Sequence, residues 1–259
     1  MAISIIVMGA AGRMGSTVAR LVGEAEDLAL AAVVERPGVH LARFGYDCLA
    51  GDSVEELFPQ CPKAVVVDFT SPEASLATAR SAVAHGNPMV MGATGFTPGQ
   101  REELEEYARA APLFWSPNMS VGVNALLKAL PELTRLLGDA YDVDIVELHH
   151  NGKKDAPSGT ALRLAECVAE ARDWQLAETG CYHREGIIGA RPKREIGVQT
   201  VRGGDIVGVH TVYFMGPGER IELTHQAHSR ENFAQGALRA ARWMAGAKPG
   251  KLYSMHDVL

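Results

Sequence analysis

The apolar runs of this sequence predict an α/β protein in two parts: an N-terminal doubly wound parallel sheet, then an α+β region with an open mixed sheet. Three observations carry the expectation. Ile3–Met8, Leu28–Val34 and Lys63–Thr70 hold short, nearly continuous apolar runs, as strands buried on both faces require. Stretches with helical spacing separate them, which implies βα alternation. Beyond Ser120 that alternation gives way to longer strands and fewer helices.

With 259 residues the chain can form one large or two modest domains, and 47% hydrophobic residues suffice for a core in each. The change of character sets the expected boundary. Residues 1–120, joined by 230–259, make the first domain, and 121–229 make the second. A net charge of −6 argues against general nucleic-acid binding. No apolar run is long enough for a membrane span, and Ala2–Met8 leads straight into a glycine turn and not into a cleavage site. Cys48, Cys61, Cys167 and Cys181 form no C-x-x-C pair, which fits reduced thiols in a cytoplasmic protein.

Ile3–Met8 is the first strand. Gly9-Ala-Ala-Gly-Arg-Met-Gly15 follows, then a helical pattern through Val22, then a second strand, Leu28–Val34, ending at Glu35-Arg36. Strand, glycine turn, helix, strand and acid in that order describe a Rossmann-type dinucleotide-binding unit. Gly9 permits the tight turn, Gly12 lets backbone approach a pyrophosphate, and Gly15 lets helix and strand pack closely. The spacing is G-x-x-G-x-x-G instead of G-x-G-x-x-G, so the flanking strands and Glu35, about 20 residues on, give the motif its weight. Glu35 can hold the ribose hydroxyls of NADH, and Arg36 can pair with the 2′-phosphate of NADPH, so NADH or NADPH is the expected cofactor.

Residues 38–51 read as irregular and Val54–Leu57 as a short helix. The third strand ends in a polar tip bearing Asp68 and Thr70. Ser71-Pro72 starts a helix running to His85. Pro88–Met91 is a fourth strand, followed by Gly92, Ala93 and Thr94. Thr97-Pro98 starts a helix through Ala110, and Leu113–Trp115 is a fifth strand ending in Ser116, Pro117, Asn118 and Met119. Ligands of open α/β sheets sit at the carboxyl ends of the strands, so these tips are expected to line the cofactor crevice.

In the second part, Val121–Leu137 reads as a helix broken or restarted near Pro131. Val143–Leu148 is a strand carrying Glu147 and leading into His149 and His150. Neighbours on a strand face opposite ways, so the two histidines should have different tasks. Lys153 and Lys154 fall in the next loop, and Ser158 is the expected N-cap of a helix reaching Ala171. Tyr182–Arg194, rich in glycine and charge, reads first as a solvated loop, with a mobile loop carrying substrate contacts or a subunit contact as the alternatives. Ile196–Arg202 and Ile206–Met215 read as the arms of a hairpin about Gly203-Gly204-Asp205, with Arg220–His225 as a further strand. The second face of such a sheet needs a cover, for which a partner subunit is expected. Phe233, Ala237, Leu238, Ala241 and Met244 share one face of a late helix that should return to the first domain.

A hydride donor in one domain, with a proton donor and a cation in the other, points to a reduction. Histidine suits the acid role because its free pKa lies near neutrality. His149 is the expected general acid. Lys153 is expected as a fixed positive charge or second proton donor. Ser158, Gly159 and Thr160 are the expected grip on a substrate carboxylate at a helix N-terminus. No metal site is expected, since adjacent His149 and His150 cannot easily share one ion and the cysteines are scattered.

Glu147-Leu-His-His-Asn-Gly-Lys-Lys-Asp-Ala-Pro-Ser-Gly-Thr-Ala161 fits E-x-H-H-x-x-K-x-D-A-P-S-G-T-A, the motif of the 4-hydroxy-tetrahydrodipicolinate reductase (dihydrodipicolinate reductase) family, which the chain closely resembles. G-A-A-G-R-M-G at Gly9–Gly15, D-F-T at Asp68–Thr70, G-A-T-G-F at Gly92–Phe96, S-P-N-M-S-V-G-V-N at Ser116–Asn124 and R-G-G-D-I-V-G at Arg202–Gly208 extend the likeness over nearly the whole chain. The resemblance implies reduction of a small cyclic dicarboxylate to tetrahydrodipicolinate in diaminopimelate and lysine synthesis. It implies His149 as proton donor and acceptor, Lys153 as proton donor, and His150, Lys153, Gly159 and Thr160 as substrate contacts; for the cofactor it implies Gly9, Ala10, Ala11, Gly12, Arg13, Met14, Glu35, Arg36, Gly92, Ala93, Thr94, Ser116, Pro117, Asn118 and Met119. A homotetramer built through the second domain's sheets is implied as well. The chain departs from many relatives at Asn151-Gly152, which are often basic there, and at Val209, often glutamate. Two readings compete: another nicotinamide oxidoreductase on the same plan, and a cofactor-binding protein that turns nothing over.

Overall fold

The structure, a computed structural model, describes residues 2–259. The chain forms two compact units, Met1–Val121 with Glu231–Leu259, and Gly122–Arg230.

In the first unit β1 (Ile3–Met8), α1 (Arg13–Glu24) and β2 (Leu28–Val34) are followed by β3 (Leu49–Gly51), α2 (Val54–Leu57), β4 (Val65–Asp68), α3 (Pro72–His85), β5 (Met89–Met91), α4 (Pro98–Ala108) and β6 (Leu113–Trp115). Local chemistry sets several of these limits. Ser71 caps α3 by accepting from the Ala74 N–H at 3.3 Å, and Gly86, in the left-handed region, ends it. Thr97 and Gln100 form a reciprocal capping box at the start of α4. Residues 38–51 are not wholly irregular, because Leu49–Gly51 pairs with β2 as β3. Three residues are too few for periodicity to reveal a strand.

In the second unit α5 (Val121–Leu137) runs unbroken through Pro131. Proline there removes the N–H that would bond the carbonyl of Leu127. The thiol of Cys167 donates to that carbonyl instead, at 3.6 Å. Next come β7 (Asp142–His149), α6 (Gly159–Ala171), α7 (Leu176–Thr179), β8 (Gly180–Cys181), β9 (Ile196–Arg202), β10 (Gly208–Gly216) and β11 (Glu219–Ala227). The sheet order is β11-β10-β7-β9-β8. The expected hairpin of β9 and β10 is therefore wrong: β7 lies between them, parallel to β9 and antiparallel to β10. Their linker passes over the end of β7, bonding Gly203 N–H to His149 O and His150 N–H to Ile206 O. The true hairpin joins β10 and β11 through Pro217-Gly218, with Gly218 at φ 81° as a type II turn needs.

One face of this sheet packs Val143, Ile145, Val198, Val212 and Phe214 against Ala161, Leu164 and Val168 of α6. The opposite face carries Val146, Leu148 and Tyr213, half-buried, and Val201, 45% exposed. The 182–194 stretch is tied down at both ends. Arg184 and Arg191 bond the carboxylate of Asp144 at 2.6 and 2.5 Å, so this segment is not a plain solvated loop.

The chain then returns to the first unit with α8 (Glu231–Met244), β12 (Leu252–Tyr253) and α9 (Met255–Val258). The first sheet is all-parallel, in the order β12-β6-β5-β4-β1-β2-β3. Apolar side chains cover both its faces, Val7, Val18, Val67, Ala237 and Leu238 on one, Ile6, Val66, Ala79, Met89 and Leu104 on the other.

Candidate active site

Each unit gathers a set of polar groups, and each is built by different means. In the first unit Val34, Met8, Asp68, Met91 and Trp115 stand in register across five neighbouring parallel strands. The residues that follow them therefore emerge along one edge of the sheet. Strand order reverses direction between β1 and β4, the place where open α/β sheets bind ligands.

The glycine turn lies at this point. Gly9 sits at φ 63°, where an L side chain is strained. A Cβ on Gly15 would overlap the carbonyl of Gly9, so only glycine lets α1 start this close to β1. Gly12 occupies the N-cap of α1, exposed and without a side chain to bond the first N–H groups. That leaves a positive helix end open to an anion. The Ala11 N–H donates to Glu35 Oε2 at 3.0 Å, so the acid after β2 also braces the turn. Glu35 and Arg36, with Gly38, His40, Ala50 and Asp52, line a cavity of about 410 Å³. Turn, open helix end and charged cavity fit a dinucleotide.

Other expected cofactor residues have structural work. Asp68 is fully buried, and Thr70 donates to its Oδ1 through both N–H (2.7 Å) and hydroxyl (2.6 Å). Burial pushes this carboxyl up, with the Thr70 bonds opposing. Asp68 thus holds Thr70 against Gly9 and does not itself face outward. The Gly92 position is filled on one side by the ring of Phe69, and Ala93 accepts from the Trp115 indole at 2.9 Å. Ser116 donates to Asn118 O at 2.7 Å, while Thr94 and Pro117 are exposed. Met119 is 1% exposed, and its side chain belongs to the core, where α8 reaches it through Gly236.

The second unit concentrates charge at the end of β7. Glu147 is fully buried. Its Oε1 accepts from Arg202 (2.8 Å), from the Ser158 N–H (3.0 Å) and from the Thr200 hydroxyl (3.2 Å). Its Oε2 accepts from Arg202 at 2.8 Å and meets His149 Nδ1 at 2.5 Å. Burial favours the neutral acid, but the bonds from Arg202, His149 and Ser158 prevail and hold the carboxyl down at about 2. His149 is 9% exposed. Burial pushes its pKa down, Glu147 pulls it up, and the charges of Lys153 and Arg202 lower it again. Gly208 leaves room at the other ring nitrogen, since a Cβ there would come within 3.0 Å of Nε2.

His210 stands edge-to-face with His149, ring centroids 5.1 Å apart. One of its nitrogens meets the Ser158 hydroxyl at 3.0 Å. Burial first, and then the neighbouring His149, push it down to about 4. Lys153 Nζ pairs with Asp155 at 2.9 Å, and Asp155 is well exposed. His150 is half-buried beside Gly152, and Gly159 and Thr160 form the first turn of α6.

The structure brings His149, Lys153 and the start of α6 into one electrostatic group. Ser158 departs from expectation, because its N–H serves Glu147 and its hydroxyl serves Ala161 and His210, leaving it an organiser of the helix start. Glu147, Arg202 and His210 carry no role in the sequence reading. Two signals point to them. Glu147 and His149 are two apart on a strand and so share a face. In register, Arg202 stands beside His149 and His210 beside Glu147. Among the described residues, no group of three or more histidine, cysteine or acidic side chains is arranged to hold a metal. No helix of these residues is long and apolar enough to cross a membrane.

A parallel nucleotide-type sheet joined to a mixed-sheet unit bearing an acid–base cluster defines the class of two-unit nicotinamide oxidoreductase folds. Scyllo-inositol dehydrogenase from Lactobacillus casei has the same overall fold, with TM-score 0.63 at 10% identity over 100% of this chain and 93% of that one. The particular family follows from sequence: the chain matches the dihydrodipicolinate reductase N-terminal model over residues 3–119 and the C-terminal model over 122–259, and it belongs to that family. It is 67% identical over 260 residues, all of both chains, to the 4-hydroxy-tetrahydrodipicolinate reductase of Nitratidesulfovibrio vulgaris (strain DP4). A dipicolinate-bound dihydrodipicolinate reductase from Paenisporosarcina sp. TG-14 matches with TM-score 0.80 at 25% identity over the full length of both.

Proposed function

We propose that this chain reduces 4-hydroxy-tetrahydrodipicolinate to tetrahydrodipicolinate with NADH or NADPH, in diaminopimelate and lysine synthesis. The observation that carries the reading is the buried Glu147–His149–Arg202 group beside Lys153 and the start of α6. Family membership and the glycine turn supply the redox half. Residues 1–120 with 230–259 bind the dinucleotide, through Gly9–Met14, Glu35, Arg36, Thr70, Gly92–Thr94 and Ser116–Asn118. Residues 121–229 bind substrate.

Reduced nicotinamide supplies the hydride. The protein positions the dicarboxylate and handles the proton. Lys153 exchanges the exposed Asp155 for a substrate carboxylate, a charge-assisted pair of comparable geometry. The positive end of α6, at Gly159 and Thr160, takes the same anion, with His150 alongside. Free His149 is neutral at working pH because burial holds its pKa down. Two incoming negative charges favour the imidazolium, so His149 gains a proton as substrate binds and gives it up in a reaction that adds hydride and proton and releases the substrate's 4-hydroxyl as water.

The open face of the mixed sheet, with Val146, Leu148, Val201 and Tyr213, supports assembly into a homotetramer, which sedimentation velocity would test. The four unpaired cysteines suit a cytoplasmic setting. The reading is tested by coupling the chain to the upstream aldol-condensing enzyme. Oxidation of NADH or NADPH should require the condensed product. Oxidation driven equally by unrelated 2-hydroxy or 2-oxo acids, or none at all, overturns it.

A further inference from the structure

We infer that Glu147 is a positioning residue: its buried carboxylate, clamped by Arg202, fixes His149 as the Nδ1–H tautomer and aims Nε2 as the atom that exchanges the proton. The inference rests on the reductase reading above and adds to it the group through which His149 is set.

The geometry leaves Glu147 little choice. It is fully buried on the middle strand of its sheet, where an ionised acid survives only when fully bonded. Arg202 grips both its oxygens from β9 at 2.8 Å, and the Ser158 N–H and Thr200 hydroxyl complete Oε1. Oε2 is then committed to His149 Nδ1 at 2.5 Å. An ionised carboxylate only accepts, so Nδ1 must carry the hydrogen. The remaining nitrogen, Nε2, lies against Gly208, which has no side chain to crowd it. A buried acid bonded to Nδ1–H holds the histidine of the Ser-His-Asp triad in the same way, keeping Nε2 for proton transfer.

The groups facing His149 divide the labour. Glu147 on β7 favours the imidazolium, while Arg202 on β9 and Lys153 in the loop oppose it. His210 on β10 presents its ring edge-to-face and stays neutral above about pH 4, so it adds no charge. Asp155 is engaged with Lys153. Among the described residues facing His149, Glu147 is thus the group that raises its basicity.

The test is Glu147→Gln, read three ways. Replacing the carboxylate should lower kcat by about 100-fold, the scale of a lost orienting acid, while KM moves by less than about threefold. The limb of the kcat/KM profile that reports the protonated histidine should shift to lower pH, since the one group favouring the imidazolium is gone. Long-range 1H–15N spectra of histidine-labelled protein, with His149 assigned from His149→Gln, should show the Nδ1–H form in the parent and its loss in the variant. Glu147→Gln takes from Arg202 its bonded counter-charge. If it does not fold, Glu147→Gln/Arg202→Gln removes both charges; the same loss of kcat and of the Nδ1–H form is expected, with a smaller pH shift because the opposing charge of Arg202 goes too. Parent turnover with unchanged kcat and pH profile in the variants, or an Nε2–H form in the parent, overturns the proposal. A parent that turns nothing over defeats the reductase reading instead, and the tautomer spectra still decide whether Glu147 sets His149.

Discussion

At Gly9, Gly12 and Gly15 the first unit makes its site by leaving side chains out. At Glu147, His149, Arg202 and His210 the second unit makes its site by crowding polar side chains in. The glycine turn uses backbone N–H groups and a helix end, so it tolerates changes of nearby charge but no added volume. The β7 cluster is held by charge-assisted bonds between buried groups, so volume matters less there than whether each charge keeps its partner. The two sites should therefore fail in different ways under substitution.

The largest expected effect falls on the charged cluster. His149→Gln and Lys153→Ala should each lower kcat by about 100-fold or more, the scale of lost general acid catalysis. Cofactor affinity, read by fluorescence of bound NADPH, should stay within about twofold, since neither residue lies in the first unit. A variant that keeps parental kcat breaks the comparison. Next comes the glycine turn, tested with Gly15→Ala. Its Cβ overlaps the carbonyl of Gly9, so thermal unfolding should register a loss of about 1–3 kcal/mol, the usual cost of overpacking. NADPH binding should weaken with it.

How much of this was legible in the sequence follows from the same contrast. The glycine turn depends on residues within one βα unit and on the acid after the next strand, so the local order of strand, glycines, helix and acid exposes it. The strand tips from Asp68 to Ser116 were legible for a related reason: parallel strands in register must end along one edge. Which tip residues face outward was not legible. Asp68 and Met119 turn inward, and no local pattern distinguishes a buried cap from an exposed contact. In the second unit the motif from Glu147 to Thr160 stood out, but Arg202 and His210 did not. They join Glu147 only because β7 inserts between β9 and β10. Reading those two strands as a hairpin hid that, since Gly203-Gly204-Asp205 suits a tight turn, whereas the observed link from Arg202 to Gly208 spans one intervening strand.

A smaller effect concerns cofactor choice. Glu35 already bonds the Ala11 and Arg36 N–H groups, whereas the Arg36 side chain is exposed beside the same cavity. Arg36→Ala should raise KM for NADPH about tenfold, one charge-assisted contact, and leave KM for NADH within about twofold. Equal changes for both would show that the arginine does not read the 2′-phosphate.

Acid stability sharpens the comparison last. His210 sits at about 4 in the folded protein against an ordinary 6.5, so the unfolded chain takes up the proton first and stability falls as pH drops from 6.5 to 4. Glu147 sits at about 2 against 4.5, so its contribution is whole above 4.5 and is lost as pH falls towards 2. Unfolding midpoints followed across pH should decline in those two windows. His210→Gln should make the first decline shallower, with His149 and His225, also held down by burial, supplying what remains, and leave the second.

The reduction itself is tested most directly by isotope transfer. NADPH carrying deuterium at the transferable position of its nicotinamide ring is supplied with substrate made in place by the condensing enzyme, and the product is examined by mass spectrometry and NMR. Tetrahydrodipicolinate with one deuterium on a ring carbon, formed by the parent and scarcely by His149→Gln, is the expected result. Unlabelled product, or consumption of NADPH with no label reaching the ring, would contradict hydride transfer by this chain.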